Sequence, residues 1–105
     1  MISRLEKLLG TPRDGALLRY SLGLEHAKAG NTQRAIEYLR EAVTKDPGYS
    51  AAWKALGKEL ADSKPEEALQ AFKQGIEAAK TKGDRQAEKE MTVFARRIEK
   101  QLGKT

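Results

Sequence analysis

Cysteine is absent from this chain. That excludes disulfides, thiolate metal sites and cysteine nucleophiles, and it suits a reducing compartment. Proline occurs only three times, and hydrophobic residues make up 39%, so a packed core is feasible and general disorder is not expected. The one histidine is His26, and a single imidazole makes neither a metal site nor a catalytic triad. No apolar run approaches the ~20 residues needed to cross a bilayer. The opening stretch MISRLEKLLG carries charges within its apolar pattern and lacks a signal-peptide core, so it is read as structure and the expected location is cytoplasmic. Gly-rich phosphate loops of the GxGxxG or GKS/T type are missing. Glu66/Glu67 and Glu37/Glu41 could be paired carboxylates. Their places in a first helical turn and at i,i+4 are better explained by the helix dipole and surface charge. No catalytic residue, cofactor or metal site is therefore expected, and no enzyme.

What the chain does have is charge of both signs. Lys and Arg number 20 against 15 Asp and Glu, a formal net charge of +5. Such a balance suits nucleic acid, an acidic peptide or an anionic surface. It also suits a lysine-rich helical protein with mixed charge on solvated faces, and that plainer reading is preferred. A length of 105 residues fits one domain that buries roughly two-thirds of the surface its unfolded form exposes.

Apolar spacing predicts six helices. Ile2, Leu5, Leu8 and Leu9 form a short amphipathic stretch over 2–9, too short to stand alone. A Gly10-Thr11-Pro12 break follows, with Thr11 or Asp14 as the cap of a helix over about 13–29. That helix is apolar on two faces, which predicts packing on more than one side. Gly30 stops it and Asn31 caps the next, 32–45, whose stripe is Ala35, Ile36, Leu39, Ala42 and Val43. After Asp46-Pro47-Gly48 the cycle restarts. Helix 50–62 carries Trp53, Leu56 and Leu60. Ser63 to Glu66 reads as a capping box for helix 65–82, with Ala68, Phe72, Gly75 and Ile76. Gly83-Asp84 breaks the chain before helix 85–102, whose one-sided stripe of Met91, Phe94 and Ile98 marks an end cap.

The Leu22-Gly23 pair returns as Leu56-Gly57, an offset of 34 residues. A period of this size marks a helix–turn–helix unit that stacks on its copies. The first unit supplies Leu22, Gly23, His26, Ala35, Leu39, Ala42 and Pro47. The second supplies Trp53, Leu56, Gly57, Leu60, Ala68, Phe72 and Gly75. In these residues the chain resembles the tetratricopeptide repeat (TPR) family over about 16–82. Arg19 stands where the pattern has Trp, Lys80 where it has Pro, and the second turn is one residue short. Glycine inside a helix costs about 1 kcal/mol relative to alanine. Gly23 and Gly57 are therefore expected to let paired helices approach closely, on the faces of Ala35 and Ala68.

The resemblance implies an all-α fold of antiparallel helix pairs in a right-handed superhelix. Repeat one would span about 16–49 and repeat two about 50–82. Helix 84–102 and the 2–9 stretch would serve as end caps, since two units are fewer than a solenoid usually needs. First helices would line the concave face. The implied function is a protein–protein interaction module or adaptor. The alternatives are a basic module for RNA or another polyanion, and a self-assembling structural unit.

Some family members hold a C-terminal carboxylate with Lys/Arg and Asn at inner-face sites. Tyr20, Leu24 and Ala55 stand there instead, so that mode is not expected. The expected groove comprises Leu17, Tyr20, Ser21, Leu24 and Lys28 from the first long helix, with Ala51, Lys54, Ala55 and Lys58 from helix 50–62. Tyr20 and Leu24 would give an apolar floor, and Lys54 and Lys58 a positive rim without a nearby acidic residue. Such a groove suits a protein or peptide segment with a bulky apolar side chain beside Asp or Glu. Helix 85–102 or a second copy of the chain could instead cover it. Among the aromatics, Trp53, Phe72 and Phe94 are expected in the core, and Tyr49 between units. The convex face around Tyr38 and Arg34 is the next candidate surface.

Overall fold

The apolar stripes become helices in the computed structural model of the chain, which describes residues 1–103. α1 spans Ile2–Glu6, α2 Ala16–Lys28, α3 Thr32–Lys45, α4 Ser50–Leu60, α5 Pro65–Lys82 and α6 Arg85–Gln101, with no strand among the described residues. α2 packs on α3, α4 on α5, and α6 back on α5, while α3 joins α4 and so links the two pairs. α1 rests on α2. The body measures 45 × 30 × 18 Å.

Short reversals force neighbouring helices to run antiparallel. Gly30 takes a φ of 81°, which puts the Asn31 N–H 2.8 Å from the His26 carbonyl. Gly83 repeats the device with a φ of 72°, and the Asp84 N–H donates to the Ala79 carbonyl at 2.9 Å. A side chain at either place would be strained. Asp84 then caps α6 by accepting from the Ala87 N–H at 3.1 Å.

Phe72, Leu22, Leu39, Leu60, Leu69 and Met91 are fully buried, each worth about 1.5–3 kcal/mol relative to exposure. Glycines set how closely these helices approach. A β-carbon on Gly23 would sit 2.6 Å from Leu39 Cγ, and one on Gly57 would sit 2.7 Å from the Phe72 ring. The nearest atoms belong to Leu39 and Phe72, one turn on from Ala35 and Ala68 along the expected faces, and the Ala35 carbonyl also lies 3.4 Å from the Gly23 position. Gly75 is tighter still. A β-carbon there would run into Met91 Sδ and lie 2.9 Å from Trp53 Cβ.

Helix ends differ from the sequence reading in several places. α1 closes at Glu6, and Leu8 and Leu9 follow in tighter turns through N–H bonds to Leu5 and Glu6. α2 begins at Ala16 with extended Gly15 as its N-cap, so neither Thr11 nor Asp14 caps it. Thr11 instead donates to the Leu8 carbonyl, and Asp14 binds the Gly10 N–H and Arg19. α4 ends at Leu60, and α5 takes Lys64 rather than Ser63 as its N-cap, with Pro65 in first position. Asn31 occupies the N-cap of α3, but its side chain turns to His26 instead of capping.

Candidate functional site

α2, α4 and α6 lie side by side along one face. α4 touches α2 on one flank and α6 on the other. The C-terminal helix therefore shares this face, as well as covering α5. Lys54 makes the point most directly. Its Nζ lies 2.5 Å from Glu90 Oε1 of α6. This corrects the expected positive rim, since Lys54 is neutralised by a residue that the sequence reading assigned to a cap. The ammonium, with help from the Gln86 amide, holds the Glu90 carboxyl below the usual carboxylate range.

Four of the expected groove residues meet in one cleft of about 270 Å³. Leu24 and Lys28 of α2 face Ala55 and Lys58 of α4, with Ala27, Leu39 and Glu59 completing the lining. The others are placed differently. Tyr20 is half-buried against Tyr49, ring centres 4.9 Å apart, and packs on the main core. It therefore braces the junction between the helix pairs, where burial raises the Tyr49 phenol above its ordinary pKa. Ser21 is half-buried, while Leu17 and Ala51 are exposed, Leu17 at 68%. Lys28 reaches toward Glu25 at 3.6 Å.

A second cleft, of about 200 Å³, opens on the other flank of α4. Lys58 borders it too, with Phe94, Arg97 and Ile98 of α6 opposite and Asp62 at the rim. Phe94 stacks on Phe72 with ring centres 5.2 Å apart and planes 7° from parallel. Lys58 Nζ and Arg97 Cζ each lie within 6 Å of the Phe94 ring centre. Phe94 was expected in the core, but it is half-buried and forms a wall of the cleft. The one-sided apolar stripe of α6 gave no sign that Phe94 and Arg97 would stand at its border.

Elsewhere ion pairs close the surface. On the opposite side, Arg40 of α3 meets Glu67 of α5 at 2.6 Å and holds its carboxyl below the usual range. Arg19, in place of an aromatic, bridges Asp14 at 2.8 Å and Glu41 at 2.5 Å. The guanidinium, with the Gly10 N–H, keeps the Asp14 carboxyl far below its ordinary value. The expected fallback surface around Tyr38 and Arg34 is partly occupied, with Tyr38 buried and Arg34 exposed. Glu6 of α1 reaches it, accepting from the Tyr38 hydroxyl at 3.0 Å and lying 3.7 Å from Arg34. Burial is the main reason the Tyr38 hydroxyl is raised above its ordinary pKa. His26 packs in the same place, stacked on the Tyr38 ring at 5.4 Å, with Nδ1 3.2 Å from the Asn31 amide and Nε2 without a hydrogen bond, 3.8 Å from Glu6 Oε2. Among the described residues no cluster of three His, Cys, Asp or Glu could hold a metal, and no helix is long and apolar enough to cross a membrane.

Paired helices in register, tight at matching glycines and presenting one continuous inner face, define a helical-repeat protein. More specifically, the chain belongs to the tetratricopeptide repeat family, whose pattern matches residues 16–59. A TPR repeat-containing protein of Pseudomonas aeruginosa is 50% identical over 101 residues, 95% of this chain and 96% of its own. A protein of Bordetella parapertussis with a known solution structure is 40% identical. That match has a TM-score of 0.79 and spans 96% of this chain and 89% of the other. The crystal structure of a tetratricopeptide repeat domain protein of Salinibacter ruber aligns at 31% identity and a TM-score of 0.74, covering 82% of this chain and 97% of that one. Domains of this family are in general protein-interaction modules and in general not catalytic.

Proposed function

We propose that this protein is a non-catalytic adaptor that binds a segment of a partner protein on the face formed by α2, α4 and α6. In this reading residues 16–49 and 50–82 act as two repeats and 84–102 as the closing helix, within one domain. The cleft that gathers Leu24, Ala55, Lys28 and Lys58 carries the proposal, because it joins an apolar floor to two basic side chains. A bulky apolar side chain flanked by Asp or Glu suits it. Leu17, Tyr20, Ser21, Ala51 and Lys54 form the surround rather than the floor. A polyanion is a weaker fit, since Arg19, Arg40 and Lys54 are tied to carboxylates of the chain itself. The absence of cysteine suits a cytoplasmic setting.

Affinity capture from the native cell tests this. The intact chain and a Gln74→Arg variant on the opposite side should retain the same partner, and Ala55→Arg, which fills the cleft, should lose it. Equal retention by Ala55→Arg would overturn the proposal.

A further inference from the structure

We infer that the cleft between α4 and α6 is a carboxylate-binding subsite, in which Lys58 and Arg97 hold an Asp or Glu side chain of an extended partner segment. The inference rests on the interaction face proposed above and names its acidic determinant.

Two cations from different helices converge on one ring. Lys58 Nζ is 5.8 Å and Arg97 Cζ 5.9 Å from the centre of Phe94. The ring is fixed by stacking on Phe72, which is fully buried. The ring face attracts both cations, and an anion between them would add a stronger, charged partner. Neither cation makes an ion pair among the described residues, whereas Lys54, one turn before Lys58, is matched by Glu90. Glu90 feels the Lys58 charge but is engaged by Lys54 and Gln86. Asp62 also borders the cleft without contacting either cation, so the local balance stays positive. The guanidinium fork of Arg97 matches a carboxylate in two bonds, and Lys58 adds a second charge. About 200 Å³ is less than a drug-sized ligand requires, and it suits one side chain of a longer segment.

Lys58 also borders the Leu24–Ala55 cleft, so the two clefts lie on opposite flanks of α4. Packed helices stand roughly 8–10 Å apart. An extended chain advances about 3.3 Å per residue. A segment crossing α4 would thus place its apolar side chain and its carboxylate about three residues apart.

The test uses a short fluorescein-labelled Gly/Ser peptide carrying Leu and Glu about three positions apart. A twin has Glu replaced by Gln. Both are titrated by fluorescence polarisation at low salt. The intact chain should prefer the Glu peptide by about tenfold. A Lys58→Gln/Arg97→Gln variant, substituted only on the surface and checked by thermal melting, should bind the two peptides equally. Ala55→Arg should lose both. Failure of the Glu peptide to bind, or a preference that survives in the double variant, would overturn the subsite. If the intact chain binds both peptides equally and Ala55→Arg loses both, the interaction face stands and only the subsite falls. If Ala55→Arg binds both like the parent, the interaction face itself is wrong.

Discussion

The two ends of this molecule are closed by different chemistry. At the N-terminal end, Ile2 and Leu5 of α1, with Leu8 and Leu9 of the turns after it, pack on a small cluster of Leu18, Leu22 and Tyr38. A single carboxylate, Glu6, reaches the Tyr38 hydroxyl, Arg34 and the His26 ring. At the C-terminal end, Met91, Ala95 and Ile98 of α6 are buried in the main core, and Phe94 stacks on Phe72. One cap is thus a five-residue helix on a small apolar cluster with Glu6 at its edge, and the other is a full helix merged with the main core. A short helix is marginal without its dock, whereas a long amphipathic one contributes its whole apolar face. The cap that merges with the core is also the one that lies beside α4 on the proposed interaction face. Under that proposal, ending the stack and completing the binding surface fall to the same element.

Truncation should separate the two ends most strongly. Removing 84–105 strips the cover from Gly75, Phe72 and Ala79, and an aggregated or molten product is expected by near-UV circular dichroism and light scattering. Removing 1–9 should leave a cooperatively folded chain whose melting temperature falls by on the order of 10 °C. A soluble, cooperative 1–83 fragment would erase the contrast.

Glycine substitutions come next. Gly57→Leu should cost at least about 3 kcal/mol in urea denaturation, through overpacking against Phe72. With alanine the halves should differ. Gly57→Ala meets a ring held in place by Phe94 and should cost about 1–3 kcal/mol. Gly23→Ala meets the flexible end of Leu39, and strain there is offset by roughly 1 kcal/mol of helix propensity.

Smaller effects probe the polar edge. Tyr38→Phe should cost about 1 kcal/mol, the usual net worth of one hydrogen bond. Acid should act least. Asp14, Glu67 and Glu90 have lowered pKa values. Their stabilising pairs are present above the ordinary carboxylate value near 4 and are lost as pH falls through the lowered values. Exposed pairs are screened by solvent, so thermal melts at pH 6 and pH 3 should differ by only a few degrees, and Arg19→Ala should narrow that gap.

The repeat period and paired small residues made the family and helix order legible in the sequence, and α3 and α5 began and ended where apolar spacing and glycine put them. Caps were less legible: Thr11 bonds back to the Leu8 carbonyl, and α5 starts from Lys64 rather than Ser63. Asp14 is drawn away by Arg19, across a helix boundary that local pattern does not describe. The proposed interaction face was only partly legible. Leu24, Lys28, Ala55 and Lys58 could be placed from repeat positions alone. Glu90, Phe94 and Arg97 could not, because α6 does not carry the repeat pattern and its position beside α4 depends on packing. Tyr20 failed for a related reason. Repeat position turned it toward the groove, but Tyr49 lies close enough to claim its ring.

Amide hydrogen exchange on the intact chain tests most directly whether α6 is a permanent wall of that face. The amides of Met91, Phe94 and Ala95 should exchange only through global unfolding, at rates comparable to those of Leu69 and Phe72. Those of Leu5 and Glu6 should exchange about a hundredfold faster or more, through local opening of α1. Exchange of the α6 amides as fast as those of α1 would contradict the account, because a helix that detaches so readily cannot complete a binding surface.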